Sequence, residues 1–215
     1  MTSLALHPLG EAALCASLPA PVTLAQQQRL WQLAEALARL PSVTGLTPGM
    51  NNLTLTFDPL HTDPAEVAAA VQSQWAAPAQ ERALGRLVEI PVRYGGEAGP
   101  DLAEVAAHGG LSPDEVVRRH TASEYVVYFI GFQPGFAYLG GLDQALHTPR
   151  RAEPRVAVPA GSVGIGGAQT GIYPLATPGG WQLIGRTDLA LFNPQAEPPT
   201  LLAPGDRVRF VAVDA

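Results

Sequence analysis

Residues 125–141 read YVVYFIGFQPGFAYLGG. The first six are apolar, β-branched or aromatic, which is the composition of a buried strand. A Gly/Pro frame follows at once and carries Phe132, Phe136 and Tyr138. Packing alone is served by Leu and Val, so aromatics on a rigid loop point to the wall of a pocket or an interface. From Tyr125 onward no apolar residues recur at helical spacing. Short apolar runs (YVVYFI, VAVPAGSVGI, WQLIG, LALF, RVRFVAV) alternate with turns. TPGGW (177–181) suits a type II turn, with Pro178 at one corner and Gly179 at positive φ. PGDRVRF (204–210) is a turn feeding a closing strand. Many short strands with such turns predict a β-barrel or sandwich.

Working backwards, LVEIPVRY (87–94) reads as one more strand. Between it and Tyr125 lie two short helices. Asp101 is placed to cap the first and Gly109 to stop it. Ser112, Pro113 and Glu115 form a capping box for the second, which ends near His120. APAQERALGR (77–86) is polar and aperiodic and reads as a linker. Before it lies a small α+β unit. ALCASL (13–18) is a strand. Thr23 and Gln26 open a helix carrying Leu30, Leu33, Ala34, Leu37 and Ala38 at helical spacing. Val43–Leu46 and Leu53–Phe57 are strands around the turn TPGMNN (47–52). Asp63 and Pro64 start a second helix that runs to Trp75. Strand, helix, hairpin, helix, strand predicts a ferredoxin-like unit over 1–84, with the β-rich domain over 85–215.

The chain has 215 residues, a net charge of −6 and 13 basic residues, all of them Arg. An acidic balance argues against a nucleic-acid binder. No apolar run reaches membrane-spanning length and the N-terminus lacks a basic signal-peptide start, so a cytoplasmic protein is expected. The single Cys15 excludes an internal disulfide and Cys-based zinc sites; it reads as a small core residue.

GSVGIGGAQTG (161–171) tempts one towards a phosphate loop. It has no Lys, it breaks the GxGxxG pattern at Gln169, and no helix follows. Tight β-turn glycines are the better account. Ser162 in AGSVG lacks the strand–turn–helix of a nucleophile elbow. The five His sit at no metal-ligand spacing, so no metal site is expected. His120 either caps its helix or points into a pocket below the FQPGF loop. Arg150, Arg151 and Arg155 share a Pro-framed loop, and Arg186 follows the WQLIG strand. A planar guanidinium fork suits carboxylate or phosphate. Gln169, Thr170 and Tyr173 supply uncharged hydrogen-bonding groups that suit a small amide or carboxylate ligand or, equally, serve as internal turn braces.

GFQPGFAYLGGL, PRRAEPRVAVPAGSVGIGGAQTGIYP, TPGGWQLIGRT and PGDRVRF, in that order, resemble the Kip-inhibitor/allophanate hydrolase subunit 1 family, and VTGLTPGMNNLTLTFDP extends the likeness to the N-terminal third. The resemblance implies a ferredoxin-like domain followed by a cyclophilin-like barrel. It implies a partner of the allophanate hydrolase subunit 2 type, also known as the C type. With a further subunit of the A type, the complex would open 5-oxoproline to glutamate using ATP with Mg. Urea- or allophanate-type chemistry and inhibition of a sensor histidine kinase are the other activities the resemblance allows. On this reading Arg155, Gln169, Arg186 and His120 are catalytic candidates. Phe132, Pro134, Phe136, Tyr138, Arg150, Thr170, Tyr173 and Trp181 would bind substrate, and the chain alone would be inactive.

Overall fold

A computed structural model describes residues 3–79 and 83–214. The chain divides into two compact units, 1–83 and 84–215. Of the expected linker, residues 80–82 lie outside the described residues.

The first unit runs β1 (Ala5–Pro8), β2 (Ala13–Ser17), α1 (Leu24–Leu37), β3 (Val43–Gly49), β4 (Asn52–Phe57) and α2 (Pro64–Ala76). Thr23 and Gln26 form the reciprocal capping box that starts α1. Asp63 caps α2 through the Ala65 N–H at 2.8 Å. Period-3.6 spacing buries Leu30, Leu33 and Leu37 against Leu53, Leu55 and Phe57 of β4, whose intervening threonines face out. Arg29 donates to the carbonyls of Trp75 and Ala77, so it satisfies orphan acceptors at the end of α2.

The four strands are antiparallel in the order β1-β2-β4-β3. The expected ferredoxin-like plan closes with a strand after the second helix. Among the described residues of this unit no strand follows α2, and the fourth strand is β1, a hairpin partner of β2. The β3–β4 turn is also tighter than expected. β3 runs on through Thr47-Pro48-Gly49, which Pro48 tolerates because β3 is an edge strand, and Asn51 takes the left-handed turn at φ 60°.

The second unit contains β5 (Leu87–Tyr94), α3 (Leu102–Gly109), α4 (Pro113–Ala122), β6 (Tyr125–Ile130), β7 (Ala137–Gly140), β8 (Arg155–Val158), β9 (Ser162–Gly166), β10 (Gln169–Ile172), β11 (Thr177–Gly179), β12 (Gln182–Arg186) and β13 (Arg207–Ala212). Seven of these close a mixed barrel in the order β10-β7-β6-β13-β5-β12-β9. Only β13 and β5 run parallel; the other described pairings are antiparallel. Strand alternation turns Ile90, Val92, Val163, Ile165, Ile184, Val208 and Phe210 into one buried cluster.

β8 and β11 form a separate two-stranded ribbon. Its second strand replaces the type II turn expected at TPGGW. Gly179 is not among the positive-φ residues; it is required because a Cβ there would lie 2.6 Å from the Tyr173 hydroxyl. LALF also forms no strand, and its Phe192 makes only an isolated bridge to Thr200. No described helix is long and apolar enough to cross a membrane.

Candidate functional site

The loop between β6 and β7 is braced by its own backbone. Gly131 N–H donates to Phe136 O at 3.1 Å, and Phe136 N–H to Gln133 O at 3.0 Å. Gly135, at φ 80°, lets the turn approach Leu191 O, which would lie 3.0 Å from a Cβ. Phe132 also sits at positive φ, 68°, which is unfavourable for a bulky residue, and it is 61% exposed. A strained, exposed aromatic is a functional signal rather than a packing solution.

Behind Phe132 lies an aromatic cluster centred on buried Phe136. Its ring meets Phe132, Tyr173 and Trp181 edge-on at 5.5, 5.2 and 5.4 Å, and Tyr138 at a tilt at 4.9 Å. Phe129 stacks on the far side of Tyr138 at 4.3 Å. Such edge-to-face pairs contribute about 0.5–1.5 kcal/mol each beyond burial. Phe132, Phe136, Tyr138, Tyr173 and Trp181, with Arg150, Pro154 and the Pro178–Gly180 segment, line a cavity of about 230 Å³.

The glycine run explains how the cluster is seated. Gly164 and Gly166 share one face of β9, and Gly171 of β10 pairs directly with Gly164. A Cβ would lie 2.6 Å from the Trp181 ring at Gly166, and 3.1 Å from it at Gly171. The glycines therefore form a flat shelf on which Trp181 and Phe136 lie. That shelf is covered by indole, so it is not a phosphate cradle.

The arginines divide. Arg155 donates to Asp101 Oδ1 at 2.7 Å and Arg151 to the same oxygen at 3.4 Å. Asp101 Oδ2 accepts the Leu183 N–H at 2.7 Å, and the Asp101 N–H donates to Leu183 O at 2.9 Å. Asp101 stands at the expected helix-cap position but makes no capping hydrogen bond. Instead it is a buried anchor that ties the 148–155 loop and β12 to the start of α3. Arg186 is exposed and donates to Ala160 O at 3.1 Å, away from the cavity lining. Arg150 alone of the four lines the cavity, with its guanidinium 5.9 Å from the Trp181 ring centre.

His120 is fully buried inside the barrel, stacked on Phe210 at 4.4 Å. Neither the helix-capping nor the pocket-facing placement holds. Thr170 Oγ1 donates to Gly164 O at 3.0 Å, so it accepts from His120 Nε2 at 2.9 Å. Nδ1 then accepts from the Tyr94 hydroxyl at 2.7 Å. This chain of bonds assigns the tautomer and keeps the ring neutral; burial pushes its pKa down to about 3. His120 and Thr170 thus brace β9 and β10 from inside, beneath the glycine shelf.

The remaining candidates scatter. Pro134 is exposed on the loop. Gln169 is half-buried, and its Nε2 has no partner. Gln182, part of the TPGGWQLIGRT run but not singled out there as a site residue, is buried on β12, with Nε2 on Pro149 O at 3.2 Å and Oε1 unpartnered. Burial raises the pKa of Tyr138 and Tyr173, so both hydroxyls stay protonated donors. Among the described residues no group of three or more His, Cys, Asp or Glu could hold a metal ion. One cation and a covered glycine run do not fit a triphosphate with its Mg.

The profile of the carboxyltransferase domain, subdomains C and D, matches residues 4–202. The chain belongs to that family. Over 203 residues it is 56% identical to the B subunit of 5-oxoprolinase from Escherichia coli O157:H7, covering 94% of this chain and 93% of that one. The solved structure of TTHA0988 aligns at TM-score 0.81 and 39% identity over 94% of this chain, which spans only 40% of TTHA0988. Kluyveromyces lactis urea carboxylase aligns at TM-score 0.84 over 99% of this chain and 22% of that one. At 18% identity that is a likeness of fold alone.

Proposed function

We propose that this chain is one component of an ATP-dependent 5-oxoprolinase, which opens 5-oxo-L-proline to L-glutamate in the cytoplasm together with subunits of the A and C types. The observation that carries the proposal is 56% identity to the B subunit of a 5-oxoprolinase across nearly the whole of both chains. It favours this reading over a kinase inhibitor or a urea-amidolyase component. The aromatic cavity is this chain's share of the binding site. Phe132, Phe136, Tyr138, Tyr173 and Trp181 form its apolar walls, and the two tyrosine hydroxyls are the donors for a lactam oxygen. ATP and Mg are held by the partner subunits, because this chain's residues do not fit them. Gln169, whose Nε2 is buried and which does not line the cavity, makes no ligand contact there, while Arg155 and His120 position the walls. The cyclophilin-like and ferredoxin-like labels for the two units belong to the same reading.

The chain is inactive alone under this proposal. Glutamate and ADP are expected to form from 5-oxo-L-proline and ATP only when this chain is mixed with its partner subunits. Full turnover in its absence, or by this chain by itself, overturns the proposal.

A further inference from the structure

We infer that Arg150 is the anion receptor of the aromatic cavity, and that it selects a small ring carrying one carboxylate over the same ring without it. The inference rests on the 5-oxoproline reading for the identity of the ring, but not for the anion.

Three arginines stand close together in the sequence, and the fold separates them. Asp101 takes Arg155 and Arg151 on one carboxylate oxygen, so two of the three guanidiniums are engaged by a buried partner whose single negative charge offsets one of them. Arg150 makes no ion pair among the described residues and is exposed at the cavity mouth. Its guanidinium lies over the Trp181 ring, where the indole supports the charge without consuming its hydrogen-bond donors. The neighbouring walls are apolar rings with two tyrosine hydroxyls, so the lining carries no competing anion. An anionic ligand would meet one positive fork beside an apolar face. That is the complement of a compact ring with a single acidic substituent. At about 230 Å³ the cavity is smaller than the drug-sized range and suits such a ligand, not a nucleotide.

The two tyrosines fit the same picture. Burial raises the pKa of each while the charge of Arg150 works the other way, which places the guanidinium within electrostatic reach of both hydroxyls. Carboxylate on Arg150 and a carbonyl on a tyrosine hydroxyl would fix the ring at two points.

The test is equilibrium dialysis of 5-oxo-L-proline and of uncharged 2-pyrrolidinone against the assembled complex without ATP, for wild type, Arg150→Gln and Arg150→Lys. Wild type is expected to prefer the acid. Arg150→Gln is expected to weaken acid binding about 10- to 100-fold, the scale of a charge-assisted pair, and to leave 2-pyrrolidinone unchanged. Arg150→Lys should keep part of the preference, since it retains the charge and loses the fork. Acid binding unchanged by Arg150→Gln overturns the inference, and so does equal weakening of both ligands. Glutamate formation is scored separately. Normal turnover with Arg150-insensitive binding sinks the receptor and spares the 5-oxoprolinase reading. Arg150-dependent acid binding without glutamate does the reverse.

Discussion

Asp101→Ala tests how the site is held. The substitution removes an acceptor that is 4% exposed and leaves three donors behind. The Leu183 N–H, in a buried strand, loses its 2.7 Å partner, at a cost of about 1–3 kcal/mol. Arg155 and Arg151 lose their shared carboxylate, but their side chains are 23% and 32% exposed, so water recovers part of that loss. About 1–2 kcal/mol remains, below the ~3–5 kcal/mol of a fully buried broken pair. The total is roughly 2–5 kcal/mol, a large share of a typical domain's 5–15 kcal/mol. Hydrogen exchange of amides at 182–186 reads this locally, because the Leu183 amide is one of the lost donors. A double-mutant cycle with Arg155→Ala should give a coupling of at least about 1 kcal/mol, since contacting residues do not add. A cost under about 1 kcal/mol, or strict additivity, would refute Asp101 as the anchor of the loop. Arg155→Ala alone should then destabilise the second unit rather than act on chemistry only.

His120 makes stability pH-dependent. Its folded pKa of about 3 lies below the ordinary value near 6.5, so the unfolded chain binds the proton and stability falls as pH drops through that window. At pH 5 the loss is about 2 kcal/mol. Comparing urea midpoints of wild type and His120→Gln from pH 7 to 4 should show that slope removed; parallel curves would place His120 elsewhere. Phe132→Gly should leave stability within about 1 kcal/mol of wild type, because glycine accepts the φ of 68° without strain and this offsets the lost edge contact with Phe136. The same variant should weaken ligand binding in dialysis, and a clear drop in stability would show that the exposed ring is structural.

Legibility followed sequence distance. The strand at 87–94, the capping box of Thr23 and Gln26 and the aromatic loop were readable because each is encoded within a few residues. Asp101 was not, because its partners Arg155 and Leu183 lie 54 and 82 residues away. A local reading sees only a cap. His120 failed similarly, since Tyr94 and Thr170 reach it from two other strands. The glycine run shows no phosphate-loop pattern in the sequence, but its purpose needed the register that sets Gly171 opposite Gly164 beneath Trp181. TPGGW misled because proline and glycine imitate a turn where an aromatic hydroxyl demands the missing side chain.

The parallel pairing of β13 with β5 sets the order of events during synthesis. Arg207 to Ala212 bond to Leu87 to Val92 along six consecutive positions, and the same strand meets β6 on its other edge. Until those residues leave the ribosome, two strands made much earlier wait with open edges. Such non-local closure is slow, and open edges invite association. A stop codon placed just before residue 207 would therefore yield an unclosed, aggregating unit and not a slightly shorter version of the same protein.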